Sequence, residues 1–404
     1  MMRSSRPIAT NGSPVNHLIR RCLPMNEDPL IHTLADLVRL NSVNPAFEGG
    51  QPEAGIIGYI RSFFEQRGLE TSEQEVLPGR PNLIVRLPGR NPRRRLVLEA
   101  HVDTVSVKGM TIPPFEPALA DGRLYGRGAC DNKGGLAAMM HALAWCRQEG
   151  LTPPCEVWLA AVVDEEAGFR GVAKLCEGLS AEAAVVAEPT QLRVVIASKG
   201  VVRLRIHTLG RSAHSSQPHL GVNAITMMAR LIVALEEDVS RLAAQPHPLL
   251  GPATASIGLI RGGVQVNTVP DECSIDIDRR LLPGEAAEEI VADYRRIVAA
   301  VKSVTPGFEA MVEPPSLIEE PLDTPFHSLP ARLAAQILGE LKLDPTPASV
   351  PFCSDAGKLD RHGVPSILFG PGSIDQAHAA VEYVDCAQVR LAFDFYRRFI
   401  ERFE

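Results

Sequence analysis

The 404-residue sequence contains no uninterrupted apolar run of the roughly 18–20 residues that a membrane helix needs. Its first two dozen residues also lack the continuous apolar stretch of a secretory signal. They mix Arg, Ser, Asn and Pro without periodicity, which reads as a disordered tail over residues 1–24, with Met25 as a candidate natural start. Cysteines in CxxC spacing are missing as well. The eight present (Cys22, Cys130, Cys146, Cys155, Cys176, Cys273, Cys353 and Cys386) are scattered, which excludes a cysteine zinc ribbon or a CxxC redox motif and suits reduced thiols in the cytoplasm. Positive charge is in deficit: 41 Lys and Arg face 48 Asp and Glu for a net charge of −7, and the Arg-rich patch Arg93–Arg95 is short, so no nucleic-acid surface is expected. The partner is expected to be a small molecule, with neither nucleic acid nor membrane involved. No repeat or low-complexity tract is evident.

What is present is an ordinary globular composition, 45% hydrophobic and 22% charged, in a chain long enough for two domains with real cores. Apolar residues recur at helical spacing over residues 28–40 and 55–68, before a strand-like Asn82–Leu87. Four nearly continuous apolar runs, Leu96–Ala100, Val157–Val163, Ala183–Ala187 and Ser366–Phe369, have the character of parallel strands covered on both faces. Helical patterns at Gly135–Gln148 and Phe169–Leu179 separate several of them. The fold class is therefore α/β, a mostly parallel sheet flanked by helices.

From about residue 197 to 315 the texture changes. Strands of alternating character at Val201–Thr208, Thr254–Ile260 and Glu272–Arg280 accompany helix patterns over Asn223–Leu242 and Gly284–Val301. This predicts an inserted α+β domain, strands on one side and two helices on the other, interrupting a larger domain of residues 25–196 and 316–404. The chain returns to helix at Pro330–Leu341 and to a last buried strand, and the Pro-rich Glu313–Pro325 reads as a linker.

The chemistry is suggested by position. His101 follows the run Leu96–Ala100, Asp164–Glu166 follow Val157–Val163, Glu188 follows Ala183–Ala187, and His378 lies beyond Ser366–Phe369. In an open α/β sheet ligands bind beyond the carboxyl ends of the strands, so residues far apart in sequence converge there. Asp131 joins them from the loop Gly126–Lys133. Singly, each has a bland reading: a lone histidine is usually structural, and Glu165–Glu166 is an acidic loop. Together they supply the nitrogen and oxygen donors that zinc accepts, and gathering so many anions without a cation is costly.

The ordered segments His101-Val102-Asp103, Gly126-Arg127-Gly128-Ala129-Cys130-Asp131-Asn132-Lys133-Gly134-Gly135, Asp164-Glu165-Glu166, Ala187-Glu188-Pro189 and Gln376-Ala377-His378 resemble those of the di-zinc aminoacylase, acetylornithine deacetylase, succinyl-diaminopimelate desuccinylase and glutamate carboxypeptidase family. The resemblance runs from about residue 28 onward. It implies a zinc-exopeptidase-like catalytic domain with a ferredoxin-like insert of four strands and two helices. It also implies two divalent metal ions, zinc first and cobalt or manganese as alternatives. By resemblance Asp131 bridges the ions, His101 and Glu188 hold one, and Glu166 and His378 hold the other. Glu165 is then the general base, and the Asp103 carboxylate orients His101.

The same resemblance makes His214, in Gly210-Arg211-Ser212-Ala213-His214-Ser215, an oxyanion donor reaching the neighbouring subunit's active site in a homodimer formed through the insert. Asn267 and Arg280 resemble substrate contacts, and an arginine's planar fork suits a substrate carboxylate. Ser354 lines the pocket by resemblance, or is simply a turn residue. The glycines of Gly126–Gly135 lack the Lys-Ser/Thr ending of a phosphate loop and read as tight-turn residues near the metals. One departure concerns Val381, which stands before Glu382 where the family often has a polar residue.

The implied activity is hydrolysis of the amide bond in a small carboxylate-bearing N-acyl amino acid. A dipeptidase or carboxypeptidase of the same chemistry is the alternative, and a catalytically silent metal-binding protein on the same fold is a third reading.

Overall fold

The computed structural model describes residues 28–404. The expected tail over residues 1–24, with Cys22, and the candidate start Met25 lie outside the described residues. The larger unit is built on a nine-stranded mixed sheet. Its order is Glu70–Leu77, Arg80–Leu87, Cys155–Val162, Asn91–His101, Ala183–Val186, Ser366–Leu368, Val195–Ser198 and Leu322–Asp323, with Ala348–Val350 pairing alongside Val195–Ser198. The four central strands from Cys155–Val162 to Ser366–Leu368 are mutually parallel, so their carboxyl ends share one edge.

Alternation of side chains along each strand divides the core. Leu96, Leu98 and Ala100 pack beneath the helices Lys133–Gln148 and Cys386–Arg402, whereas Val97 enters a second core with Phe169, Val172 and Leu359. With both faces covered, the central strands become the continuous apolar runs seen in the sequence. The first helix, Pro29–Arg39, starts cleanly because the Asp28 carboxylate accepts the Leu30 N–H at 3.0 Å and Pro29 occupies the first turn.

The insert is a separate antiparallel sheet in the order Thr254–Gly262, Glu272–Leu281, Gly200–Leu209 and Glu309–Val312, with Leu317–Glu319 also paired to Gly200–Leu209. Two helices, Ala224–Leu242 and Ala287–Val304, cover one face and enclose a core of residues such as Val202, Leu204, Met228 and Tyr294. The opposite face carries Arg203, Arg205 and their cross-strand partners Asp278 and Asp276.

Two expectations change. The Pro-rich Glu313–Pro325 is not a loose linker: Leu317–Glu319 adds to the small sheet, Leu322–Asp323 adds to the large one, and Glu319, Leu322 and Thr324 are buried. The return crossing between sheets therefore falls at Glu320 and Pro321, later than residue 315. Two elements absent from the sequence reading also appear. Glu70–Leu77 is a half-exposed edge strand, and Cys386–Arg402 is a helix whose stripe of Val389, Ala392, Phe395, Tyr396 and Phe399 is buried between charged residues. Among the described residues the seven cysteines are free thiols, and no helix is long and apolar enough to cross a membrane.

Candidate metal centre

His101 is the last residue of its strand, and its ring is fixed from both sides. Nδ1 lies 3.0 Å from the main-chain carbonyl oxygen of Asp103, and Nε2 lies 3.0 Å from Asp131 Oδ1. A carbonyl only accepts, so Nδ1 carries a proton; Nε2, which donates to Asp131 in the metal-free state, is the nitrogen whose lone pair a metal would take. This corrects the expected role of Asp103, whose carboxylate is 3.8 Å from Nδ1. That carboxylate accepts instead the N–H groups of Glu165 at 3.0 Å and Glu166 at 3.1 Å. Asp103 thus holds the ring through its backbone and the Glu165–Glu166 loop through its side chain.

The loop beyond Cys155–Val162 is strapped at Asp164, which adopts a left-handed φ of 70°. Its buried carboxylate takes Arg170 Nε at 2.5 Å, Arg80 Nη2 at 3.1 Å and Asn44 Nδ2 at 3.0 Å. Asp131 is held by a different anchor. Glu382, fully buried, accepts the N–H groups of Gly128, Cys130 and Asp131 at 3.0, 3.0 and 3.1 Å and pairs with Arg127 at 2.6 Å. Gly128 has φ +79°, and a Cβ there would sit 2.8 Å from Thr104 Cγ2, so the turn requires glycine. Val381 leaves this hydrogen bonding intact.

Three groups of ligand atoms lie within 4.8 Å of one another: His101, Asp131 and Glu188; Asp131, Glu166 and His378; and His101, Glu165 and Glu166. His378 Nε2 is 3.3 Å from Asp131 Oδ2 and 3.2 Å from Glu166 Oε1. Asp131 therefore offers one oxygen to each histidine. Ligand atoms at about 2.0–2.1 Å from a tetrahedral zinc stand roughly 3.3 Å apart, so these spacings fit cations between the donors.

The electrostatics fit as well. Burial pushes the Glu165 and Glu188 carboxyls well above the usual range, and burial raises Glu166. Burial opposes ionisation of Asp131 too, but hydrogen bonds from His101 and His378 outweigh it and hold that group below the ordinary value. Contacts with Asp131 and Glu166 bring His378 up to about 10. Without a metal, protonated imidazoles supply the positive charge that this anionic cluster requires.

The cluster forms one wall of a cavity of about 360 Å³ whose opposite wall is the open face of the insert, with Arg203, Arg280 and Leu317. The structure brings His101, Asp131, Glu165, Glu166, Glu188 and His378 together, and places Arg280 across from them. It does not bring His214 or Asn267 there within one chain. His214 is exposed, pairs in register with Thr268 and contacts Ser216 Oγ through Nδ1 at 2.7 Å. Asn267 is exposed beside it and accepts the Ser215 N–H through its carbonyl at 3.0 Å. Ser354 is corrected: it is fully buried at the N-terminus of the helix Asp355–Arg361, and its neighbours Phe352 and Cys353 form the cavity wall. The extended backbone at 354, with φ −158°, leads into that helix.

Asn44 and Arg80, bonded to Asp164, and Arg203, in the cavity lining, are neighbours of the site that the sequence motifs do not announce. Asn44 and Arg80 have no local signal. Arg203 has one, since it alternates with Arg205 and His207 along a strand otherwise apolar on its other face.

A parallel-sheet edge bearing a carboxylate–imidazole cluster beside a cavity can hold metal ions, and the family match makes it the site of a metal-dependent hydrolase of amide or peptide bonds. The chain belongs to the peptidase family M20/M25/M40, whose model matches residues 97–402. It is 30% identical over 367 residues to an acetylornithine deacetylase of Myxococcus xanthus, covering 87% of this chain and 91% of that one. Among solved structures it is similar to an aminopeptidase from Bacillus cereus, with a TM-score of 0.76, 23% identity, and 93% and 98% of the two chains covered. It is also similar to a dinuclear metal binding peptidase of the M20 family from Bacillus subtilis, with a TM-score of 0.70, 17% identity, and 92% and 96% covered.

Proposed function

We propose that this protein hydrolyses the amide bond of a small N-acyl amino acid at a centre of two divalent ions, with Glu165 as general base. One observation carries the reading: Asp131 is common to the groups His101–Asp131–Glu188 and Asp131–Glu166–His378. Each group supplies three protein ligands without Glu165, whose carboxylate is left for proton transfer. Three-ligand sites keep a position open, as catalytic zinc sites do. The nitrogen and oxygen donors suit zinc, and they also accept cobalt or manganese.

When bound, such ions polarise the amide carbonyl and lower the pKa of a water from 15.7 to about 7. Glu165, held by the Asp103 hydrogen bond to its N–H, takes the proton from that water and returns it to the departing nitrogen. Arg280 binds the substrate carboxylate from the insert side. His214 and Asn267 act from a second copy of the chain, joined through the insert. Support for that homodimer comes from the open outer edge of Thr254–Gly262 and the exposed Ile260, Val264 and Val266. The free thiols suit a reducing cytoplasmic compartment.

The deacetylase relative favours an acyl amino acid, whereas the family's name keeps a peptidase as the second reading, because a dipeptide presents the same amide and carboxylate. A panel of N-acetyl and N-succinyl amino acids and dipeptides, assayed with zinc-loaded protein for released amine, separates them. Faster turnover of acyl amino acids is expected. Faster turnover of dipeptides establishes the second reading, and no release from any substrate by metal-loaded protein leaves a non-catalytic one.

A further inference from the structure

The insert wall of the cavity has a charge pattern that bears on the substrate side chain. Alternation along Gly200–Leu209 sends Val202 and Leu204 into the helix-covered core and Arg203 to the open face. In register, Arg203 stands opposite both Asp278 and Leu317. Asp278 accepts Arg280 Nε at 2.7 Å and Arg203 Nε at 2.9 Å, so two guanidiniums share one carboxylate. The trio keeps one net positive charge, and the terminal nitrogens of Arg203 make no hydrogen bond among the described residues. That is a preset receptor for one further carboxylate.

The rest of the wall holds nothing for a cation. Among the described residues lining the cavity, the carboxylates are Asp131, Glu165, Glu166 and Glu188, all in the metal cluster. The apolar lining of the cavity includes Phe47, Phe169, Leu317, Phe352, Cys353 and Ile374. The Cys353 thiol, pushed up to about 12 by burial, stays neutral. A substrate ammonium placed here loses water without gaining a counter-ion and faces two guanidiniums, whereas an apolar side chain gains burial.

We propose that the cavity selects N-acyl amino acids with an apolar side chain, that Arg203 and Arg280 together bind their carboxylate, and that a substrate with a side-chain ammonium, such as N-acetylornithine, is disfavoured. This rests on the deacylase reading above and narrows it away from the substrate named for the deacetylase relative.

The test is calorimetric titration of zinc-loaded Glu165→Gln protein, in which turnover is suppressed, with N-acetylleucine, N-acetylleucine amide and N-acetylornithine. N-acetylleucine is expected to bind about tenfold or more tighter than either of the others, the scale on which a pocket discriminates side chains. Arg203→Gln is expected to remove most of the advantage of N-acetylleucine over its amide. Arg203→Lys, which keeps the charge but not the fork, should retain part of it. N-acetylornithine binding as tightly as N-acetylleucine, or an unchanged preference in Arg203→Gln, overturns the proposal. Turnover by the unsubstituted protein reads the parent reading separately: release from dipeptides alone overturns the deacylase assignment, and the binding order still decides what the pocket selects.

Discussion

Asn44 Nδ2 donates to two carboxylates at once, Asp103 Oδ2 at 2.8 Å and Asp164 Oδ1 at 3.0 Å. One amide thereby ties the segment behind His101 to the loop that carries Glu165 and Glu166. Because Asp103 also binds the N–H groups of both glutamates, the position of the proposed base depends on Asn44, which lies 120 positions from Asp164 in sequence. Asn44→Ala is expected to lower kcat about 10–100-fold, the usual cost of losing a residue that orients a metal site, with bound metal largely retained. Equal losses of metal and activity would show that Asn44 acts on the ligands rather than on the base.

Glu165→Ala should retain its metal and lose about 10²–10⁴-fold in kcat, the scale of general acid–base catalysis. The comparison is metal content and turnover of the same purified sample. Normal turnover would remove Glu165 from its role.

Glu382 predicts a stability effect that can be read without metal or substrate. Its carboxylate and the Arg127 guanidinium are both buried, and three main-chain N–H groups depend on the same carboxylate. Glu382→Gln leaves Arg127 uncompensated and should cost about 3–5 kcal/mol of unfolding free energy, read by urea denaturation of metal-free protein. A change under 1 kcal/mol, on the scale of about what an exposed pair contributes, would contradict the anchoring role.

His141 gives a pH dependence outside the metal centre. Burial lowers its pKa to about 4, and its Nε2 lies 2.8 Å from Thr33 Oγ1. In the unfolded chain a histidine titrates near about 6.5, so between these values the unfolded state binds more protons. The associated stability is fully present above about pH 6.5 and is lost as pH falls toward 4, amounting to about 3 kcal/mol. His141→Gln, which stays neutral, should show a shallower loss of stability over this window in parallel denaturation series, and identical slopes would exclude the contribution.

Much of this arrangement is legible in the sequence because it depends on local patterns. Apolar runs mark the doubly covered strands, and polar residues beyond their carboxyl ends mark the shared edge, which brings together His101, Glu166, Glu188 and His378. What is not legible depends on contacts across the chain. Nothing near Asn44 announces that its amide will meet Asp164, and nothing near Ser354 says that its side chain is buried while Cys353 lines the cavity. The helix Cys386–Arg402 is masked by Arg390, Asp394, Arg397, Arg398 and Glu401 between its buried positions. The register that sets Arg203 against Asp278 depends on strand pairing, which composition does not fix.

The central claim is that Asp131 serves two metal sites at once, and metal stoichiometry tests it directly. Elemental analysis after zinc loading and desalting should give about two ions per chain for the unsubstituted protein, about one for Glu188→Ala and for His378→Ala, and less than about one for Asp131→Ala, since the proposal gives each site three protein ligands. Retention of two ions by Asp131→Ala, or loss of none by the other two variants, would contradict the shared-carboxylate centre.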